Sequence, residues 1–324
     1  MNLISYYYFI EIAKDLHITR TAERLFISQQ NLSNHLARLE SHYGIELLTR
    51  RPKLQLTYAG EIVLSFAKNL VNREKELTSI IQDIKKEAEG TLRVGGSPIR
   101  ISQSLPAILP FFSQKYPKVS VSILDKNSNF LEDLILKFEL DLAIVMDPQD
   151  SPLLDNTLLI KDQIYLCCDD TLLKKYYPNS FEDIKKRSIN GAQIEDFIKI
   201  PFSILNNRLG HEIDNCFREK NLSPNIYSTS TYTQVSTSIA AQGNAAAFAS
   251  HIGLIATFPT LPKNLNVFPL FYKNKPLIKD ICLIHHNDKY LPSYGHYFKT
   301  LLLEYFQKLK TVTLAQSAND INKF

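Results

Sequence analysis

The sequence predicts an α/β protein with an all-α amino-terminal domain, and three features of the hydrophobic pattern carry that prediction. The first 58 residues place apolar side chains at helical spacing in three successive segments. Residues 59–89 continue as one long amphipathic helix. After Gly90, short β-like runs alternate with helical runs, which is typical of a largely parallel sheet covered by helices. A chain of 324 residues is also longer than the chains that ordinarily fold around a single hydrophobic core, so we expect at least two domains.

Composition narrows the class of protein only slightly. Hydrophobic residues make up 44% and charged residues 22%, which is ordinary for a globular chain, and the net charge of +4 permits nucleic-acid binding without arguing for it. No apolar stretch is long enough to span a bilayer, and the first residues lack the pattern of a signal peptide. The four cysteines form no CxxC and no paired ligand spacing. We therefore expect a reduced, cytoplasmic setting with no metal and no cofactor.

The first domain is predicted to contain three helices followed by a hairpin. Thr19 can cap the second helix and Ser28 the third, with a very short turn between the two helices. Gly44 lies just beyond the end of the third helix. The buried stripe of that helix consists of Leu32, Leu36 and Leu39. The run RRPKLQLT then supplies two short extended pieces around Pro52 and Lys53, which together predict a wing.

Two capped helices joined by a short turn form the helix-turn-helix arrangement, whose second helix enters the major groove with its first residues toward base edges. The polar side chains in that position are Gln29, Gln30, Ser33 and Asn34. Gln and Asn can pair bidentately with adenine, and Ser can bond to several bases. On the wing, three cations are suited to phosphate or minor-groove contacts: Arg50, Arg51 and Lys53. The alternative for both groups is simple solvation.

The long helix carries a heptad seam. Seven positions fall at alternating spacings of four and three residues, and all of them except Glu74 are apolar. The apolar members are Val63, Ala67, Leu70, Leu77, Ile81 and Ile84. A stripe of this kind needs a partner, which is either the helix's own domain or a second copy across a two-fold axis. We favour dimerisation.

The run from Phe9 to Glu61 resembles the winged-helix signature of LysR-type transcriptional regulators over its whole length. The matching pieces are Thr19, Ala22–Leu25, Ser28–Gln29, Leu32–Ser33, Leu39–Glu40, Leu47–Leu48, Arg50, Leu56–Thr57 and Ala59–Gly60. The sequence departs from the family at Gln30, where Pro is usual, and at Asn34, where Arg is frequent. The resemblance implies a promoter-binding regulator that acts as a dimer or tetramer. Its implied partners are double-stranded promoter DNA, a small-molecule effector, RNA polymerase and further copies of itself, with no membrane.

The carboxy-terminal half resembles the same family more weakly, through GTLRVGGSP, Leu140–Ile144 and AAQGNAAAFAS. Such domains resemble periplasmic binding proteins, with two α/β lobes joined by two crossing strands and an effector in the cleft. We place the crossings near Asp162–Tyr165 and Asn266–Leu270. The expected divisions are 1–58 for a winged helix-turn-helix, 59–89 for a dimerising linker helix, 90–310 for the effector-binding domain and 311–324 for a flexible tail. Within that domain, lobe one comprises 91–161 and 269–310, and lobe two comprises 162–268.

The chemistry of helix starts also predicts a pocket. Ser97 follows a strand and can cap a helix whose first position is Pro98, and free N–H groups there favour an anion. Ser128 repeats the arrangement at the next helix. By resemblance, the cleft candidates are Ser97, Pro98, Ser128, Phe202, Thr229, Ser230 and Ala249. The alternative for each Ser is plain capping. The family often has Arg where this chain has Gly210 and His211. Without that Arg, a dicarboxylate would lose one of its binding groups, so the sequence favours a small uncharged or monocarboxylate effector.

Three other functions fit the sequence less well. Peroxide sensors of this family use two cysteines of lobe two, but only Cys216 is present and Asn207 stands at the upstream position, so a disulfide switch is not expected. No GxSxG, HExxH, Walker loop or GxGxxG appears, so we expect no enzyme. His285 and His286 are adjacent on a strand and would point to opposite faces, which makes them poor joint metal ligands. A purely architectural DNA-binding protein would not need so large a second domain.

Overall fold

The computed structural model describes residues 2–49, 53–85, 88–255, 257 and 260–314, and it divides the chain into two compact units, Met1–Ala88 and Glu89–Phe324. Four side chains inside the long helix, those of residues 79 and 82–84, lie outside this description. Most of the predicted tail, 315–324, also lies outside the described residues.

The amino-terminal unit consists of four helices and a two-stranded ladder. In chain order these are α1 (Leu3–Asp15), α2 (Ile18–Arg24), α3 (Gln29–Tyr43), β1 (Leu48–Thr49), β2 (Gln55–Leu56) and α4 (Tyr58–Lys85). Strands β1 and β2 are antiparallel, with Leu48 opposite Leu56. The apolar stripe of α3 packs with Phe9 of α1 into one hydrophobic core. The three helices and hairpin expected from the sequence are therefore present.

Of the two helix caps predicted for α2 and α3, the structure confirms one. Ser28 caps α3, because its side chain accepts the Asn31 N–H at 3.2 Å, and Gly44 ends that helix at φ +65°. The expected cap of α2 at Thr19 is wrong, since His17 caps this helix by accepting the Arg20 N–H on Nδ1. Thr19 already lies inside the first turn, and its hydroxyl donates to Gln29 Oε1 at 3.2 Å.

The carboxy-terminal unit alternates strands and helices as predicted. Its elements are β3 (Gly90–Gly96), α5 (Pro98–Lys115), β4 (Val119–Asp125), α6 (Ser128–Leu136), β5 (Leu142–Met146), β6 (Leu154–Asp169), α7 (Asp170–Tyr176), α8 (Phe181–Ser188), β7 (Ala192–Gln193), a 3₁₀ turn (Ile194–Phe197), β8 (Pro201–Leu205), α9 (Arg208–Glu219), β9 (Asn225–Ser230), α10 (Thr233–Ala241), β10 (Ala246–Ser250), α11 (His251–Ile255), β11 (Leu265–Tyr272), β12 (Lys275–Pro276), β13 (Ile278–His286) and α12 (Ser293–Leu309).

These strands build two lobes. In the first lobe the strand order is β4-β3-β5-β13-β6, and in the second it is β6-β10-β8-β9 with β11 also paired to β6. Strand β3 is parallel to β4 and β5, and β8 is parallel to β9 and β10. Parallel strands end at the same edge of a sheet, so each lobe presents a row of strand ends and following helix starts at one edge.

The 16-residue strand β6 belongs to both lobes. It pairs with β13 as far as Gln163, and with β10 and β11 from Ile164 onward. The return crossing lies later than Asn266–Leu270, because β11 still pairs with β7 at Phe271 and the first-lobe strand β13 begins at Ile278. Lobe two therefore retains all of β11.

Candidate functional site

The exposed face of helix α3 carries the amides expected to meet DNA. Gln30 and Asn34 are both exposed and lie one helical turn apart, while Ser33 beside them is half-buried. Gln29 is also exposed and accepts a hydrogen bond from Thr19. The opposite face of α3 is buried in the core. The four side chains therefore form one polar surface at the amino end of α3, with hydrogen-bonding capacity facing outward.

The cations of this unit have different environments. Lys53 is exposed next to the β1–β2 ladder, whereas Arg50 and Arg51 lie outside the described residues. Arg24 is bound within the unit, with Nη1 at 2.6 Å from Glu11 and Nη2 at 2.7 Å from Asp15. These hydrogen bonds from Arg24 hold the pKa of Asp15 below its usual range. Arg24 is thus a structural residue that joins α1 to α2.

The seam of helix α4 divides into two halves. Val63 and Ala67 are buried in the core of their own unit, and Leu70 packs against it. Leu77 and Ile81, farther along the helix, are 56% and 44% exposed. The side chain of Ile84 lies outside the described residues. The first half of the seam therefore packs on its own chain, and the second half presents apolar side chains to solvent.

A cavity of about 90 Å³ lies between the two lobes of the carboxy-terminal unit. Its walls come from the ends of strands and the starts of helices in both lobes: Ser97, Pro98, Ile99, Arg100, Asn127, Ser128, Met146, Asn207, Arg208, Leu209, Thr231, Tyr232, Thr233, Gln234 and Ser250. One buried water occupies about 10–15 Å³ by a comparable measure. The cavity therefore has room for a small organic molecule.

Two serines predicted at the cleft do line it, in different roles. Ser97 precedes α5 without making a cap hydrogen bond, and its buried Oγ has no partner among the described residues. Ser128 is not the cap of α6, because Asn127 accepts the Phe130 N–H at 2.9 Å. The Ser128 hydroxyl instead accepts the Met146 N–H at 3.1 Å. Of these two serines, only Ser97 has a hydroxyl that makes no hydrogen bond within the described residues, whereas the Ser128 oxygen is engaged as an acceptor.

Pro98 also lines the cavity, whereas the remaining four residues expected by resemblance do not. Phe202 and Ala249 are fully buried on strands of lobe two, where Phe202 stacks on Phe248 at 5.7 Å. Alternation along a strand turns these side chains into the core. Thr229 and Ser230 lie at the end of β9, just before the loop that reaches the cavity, and Ser230 Oγ bonds to the backbone of Tyr232. For Thr229, Ser230 and Ala249 the cavity wall begins one or two residues further along the chain, whereas the first wall residue after Phe202 is Asn207.

Residues that the sequence did not single out supply much of the cavity wall. The most important are Arg100, Asn127, Arg208 and Tyr232. The resemblance directed attention to Gly210 and His211, but the arginine of this chain stands slightly earlier, at Arg208. The sequence signal that could have placed Arg208 at a helix start is Asn207, which lies shortly after strand β8. Asn is a strong helix cap, and Asn207 accepts the Gly210 N–H.

Four helices begin at the cavity. The residues that precede α5, α6, α9 and α10 are Ser97, Asn127, Asn207 and Tyr232, and all of them line it. The first turn of a helix has N–H groups without helical partners and a partial positive charge. Converging starts of this kind, together with two arginines, give the cavity a chemistry that suits a negatively charged ligand.

The described ranges contain no candidate metal centre. Within them, no cluster of His, Cys, Asp and Glu could hold a metal ion. His285 Nδ1 lies 3.1 Å from Asp155, and the ring of His286 lies 4.2 Å from that of Phe138, so the two histidines have separate surroundings. In the same ranges, no helix has the length and apolar character needed to cross a membrane.

Comparison with known proteins identifies both units. The model of the bacterial regulatory helix-turn-helix protein, lysR family, matches residues 4–61, and that of the LysR substrate binding domain matches residues 85–307. The chain is 26% identical over 311 residues to the HTH-type transcriptional regulator BsdA of Bacillus subtilis, an alignment that covers 93% of this chain and all of BsdA.

Solved structures share the fold at low sequence identity. Full-length CbnR complexed with its target DNA has a TM-score of 0.61 at 17% identity, covering 94% of this chain and 99% of CbnR. A full-length OxyR variant from Pseudomonas aeruginosa has a TM-score of 0.66 at 16% identity, covering 99% and 98% of the two chains. The effector binding domain of QuiR in complex with shikimate has a TM-score of 0.54 at 15% identity, covering 68% and 99%.

Both family models match in the expected order and together cover most of the sequence, and the resemblance inferred from the sequence is confirmed. The chain therefore belongs to the LysR family of transcriptional regulators, with an amino-terminal DNA-binding helix-turn-helix and a carboxy-terminal effector-binding domain.

Proposed function

We propose that this regulator reads its operator with the amino end of α3 and responds to a small molecule held between the lobes of the carboxy-terminal unit. One observation carries the second half of this proposal: four helix starts converge on a cavity in the unit that matches the LysR substrate binding domain. The proposed divisions remain 1–58, 59–89 and 90–310. Because promoter DNA is its target, we expect it in the cytoplasm, in contact with RNA polymerase, and without enzymatic activity.

The proposed base-reading residues are Gln29, Gln30, Ser33 and Asn34, with Arg50, Arg51 and Lys53 contacting the DNA backbone or minor groove. Support comes from the exposed polar face of α3 and from the helix-turn-helix geometry. CbnR has been solved in complex with its target DNA, and the present chain shares its fold. Contacts to bases carry sequence selectivity, while contacts to phosphate carry salt-dependent affinity.

A salt-dependent anisotropy titration tests this assignment, with DNA flanking the gene of this protein and scrambled DNA as the control. Selective binding that weakens as salt rises is expected. Ser33→Leu should abolish the selectivity, because a bulky apolar side chain would face the base edges. Ser41→Leu is the matched control, since Ser41 is exposed near the other end of α3. Equal operator affinity for Ser33→Leu and the unaltered chain would remove Ser33 from the readout.

We further propose that α4 joins two copies of the chain through its exposed second half. Leu77 and Ile81 are one turn apart and carry the exposed apolar surface, while Val63, Ala67 and Leu70 support the helix from their own unit. Leu77→Lys should shift the sedimentation of the protein toward a smaller species. The neighbouring exposed Thr78→Lys should not. An unchanged assembly for Leu77→Lys would move the dimer contact elsewhere. The same measurement distinguishes a dimer from a tetramer.

A further inference from the structure

Two arginines line the cavity, and one of them is fully engaged by the protein itself. Arg208 at the start of α9 donates from Nη1 to Glu132 Oε1 at 2.7 Å, to the Met146 carbonyl at 2.5 Å and to the Asp147 carbonyl at 2.7 Å. Its Nε donates to Asn129 Oδ1 at 3.0 Å. All of these acceptors belong to lobe one. Arg208 therefore joins the lobes and has little hydrogen-bonding capacity left for a ligand.

Arg100 differs from Arg208 in the hydrogen bonding of its guanidinium. It lies in the first turn of α5 and is half-buried at the cavity wall. Among the residues that the structure describes, no acceptor lies within hydrogen-bond or ion-pair distance of its guanidinium. Burial lowers the pKa of Arg100, the charge of Asp162 opposes that effect, and the charge of Arg208 adds to it. A desolvated cation without a bonded partner is costly for the protein.

The nearby carboxylates do not compensate this charge directly. Asp162 is 2% exposed, and its Oδ1 accepts the Ile252 N–H at 3.0 Å. Burial raises the pKa of Asp162 above its usual range, which weakens it as a counter-charge. Asp147 is paired with Lys279 at 3.0 Å. Both carboxylates thus have other partners, and Arg100 keeps its hydrogen-bonding capacity.

Ser97 supplies a second free donor on the same side of the helix. It stands three residues before Arg100, a spacing that brings side chains together on one helix face. Its Oγ is buried and without a partner among the described residues, although a serine at this position would ordinarily cap the helix. A hydroxyl, a guanidinium and the free N–H groups at the start of α5 form a donor set that suits the two oxygens of a carboxylate.

We propose that the effector is a small monocarboxylate whose charged group is held by Arg100 and Ser97, while Arg208 holds the lobes together. We infer one carboxylate because, of the two guanidinium groups at the cavity wall, only that of Arg100 has no hydrogen-bond partner among the described residues. The rest of the ligand would lie against the apolar and aromatic side chains of that wall, which are Pro98, Ile99, Met146, Leu209 and Tyr232. This inference rests on the proposed role of the cavity as the effector site.

Thermal unfolding of the full chain with defined probes tests the inference. The probes are acetate, propionate, butyrate and benzoate, each compared with its amide, which keeps the shape and removes the charge. At least one carboxylate should raise the Tm in a concentration-dependent way, and its amide should not. In Arg100→Gln the affinity for that carboxylate should fall roughly tenfold or more, as for loss of a charged hydrogen bond. Arg218→Gln, which removes an exposed arginine of α9, should keep the response.

Arg100→Gln also has a ligand-free readout that a structural role would not give. Because the cation lacks a partner, its removal should leave the Tm unchanged or raise it. Two results for Arg100→Gln would overturn the inference: a lowered Tm without ligand, or an undiminished response to the carboxylate. It would also be overturned if the unaltered chain responded to none of the carboxylates. Operator binding of the unaltered chain is measured separately. Selective DNA binding without carboxylate binding would reject this inference alone, whereas carboxylate binding at Arg100 that never alters DNA binding would reject the effector role proposed above.

Discussion

Arg208 of the second lobe donates to Glu132 of the first lobe across the cavity, with 2.7 Å between Nη1 and Oε1. The Glu132 side chain is 3% exposed and that of Arg208 is 20% exposed, so this pair is largely removed from water. A charged pair in such a place stabilises one relative position of the lobes because separation would leave Glu132 buried without its counter-charge. The pair therefore couples the stability of the unit to closure of the cavity.

Removal of Arg208 should destabilise the carboxy-terminal unit. We expect Arg208→Gln to lower the free energy of unfolding by about 2–4 kcal/mol, because Glu132 loses its charged partner in a buried site. Urea denaturation at neutral pH measures the change. The double variant Arg208→Met with Glu132→Met should recover part of the loss, since no buried charge remains.

The control for this prediction lies on the same helix. Arg218 pairs with Asp214 on an exposed surface, and Arg218→Gln should change the free energy by less than about 0.5 kcal/mol. Equal losses for the Arg208 and Arg218 variants would contradict a special role for the pair across the cavity.

Gly60 should resist replacement although it lies in a helix. A Cβ at this position would overlap the Leu47 carbonyl oxygen and would lie 3.2 Å from Leu56 Cδ2. Helix propensity alone would favour Ala by about 1 kcal/mol, but overlap with backbone requires a shift of α4 against the hairpin. Gly60→Ala should therefore lower stability by about 1–3 kcal/mol and weaken operator binding. Denaturant unfolding and anisotropy measure the two effects.

Asn69→Ala is the matched control for Gly60→Ala. Asn69 is exposed on the same helix, so the change should be neutral or slightly stabilising. A Gly60→Ala variant as stable as the control would show that the start of α4 has space that the structure does not contain.

The sequence predicted those features whose determinants are close together in the chain. Ser28 and the stripe of α3 were correctly placed because a cap and a helical period depend on a few neighbouring residues. Asn127 and Ser128 show the limit of that reasoning. Adjacent candidate caps at 127 and 128 have the same local signal, and the choice between them depends on the Met146 N–H, which Ser128 binds from 18 residues away.

The contacts of Arg208 could not be predicted from local pattern. Its acceptors stand 61 to 79 residues earlier in the chain and meet it only when the two lobes come together. Phe202 and Ala249 illustrate the converse error, since resemblance placed them near the cleft but strand alternation turned their side chains into the core. The family resemblance located the cleft, and tertiary packing decided which residues line it.

The thiols should be unreactive in the folded protein. All four cysteines are buried and free, and burial raises the pKa of Cys167 to about 12 and those of Cys216 and Cys282 to about 11. At pH 8 almost no thiolate is present, and the thiolate is the reactive form. A disulfide-exchange reagent should therefore label the native chain only as it unfolds, and peroxide should not change operator binding.

Two controls accompany the thiol experiment. In denaturant all four thiols should react, and an exposed thiol introduced by Ser41→Cys should react quickly in the native chain. Rapid labelling of the unaltered protein, or a change in DNA affinity with peroxide, would restore redox sensing as a function.

The acid stability of the first lobe should depend on Asp141. Burial raises the pKa of this carboxyl, but Lys289 at 2.7 Å and Arg93 at 2.9 Å outweigh that effect and hold the pKa below its usual range. A carboxyl whose pKa is lower in the folded state stabilises the fold above its unfolded pKa of about 3.9. That contribution is lost as the pH falls through the folded pKa. Asp141→Asn should thus cost about 2 kcal/mol at pH 7 and progressively less below pH of about 4.

Chemical denaturation at a series of pH values from neutral to strongly acidic measures this convergence between Asp141→Asn and the unaltered chain. Asp133→Asn is the control, because Asp133 is exposed on α6 and its replacement should change the free energy by less than about 0.5 kcal/mol. If the gap between Asp141→Asn and the unaltered chain stayed constant down to the lowest pH, the loss would come from packing or hydrogen-bond geometry. The ion pairs of Asp141 with Lys289 and Arg93 would then not be the source of its stabilising effect.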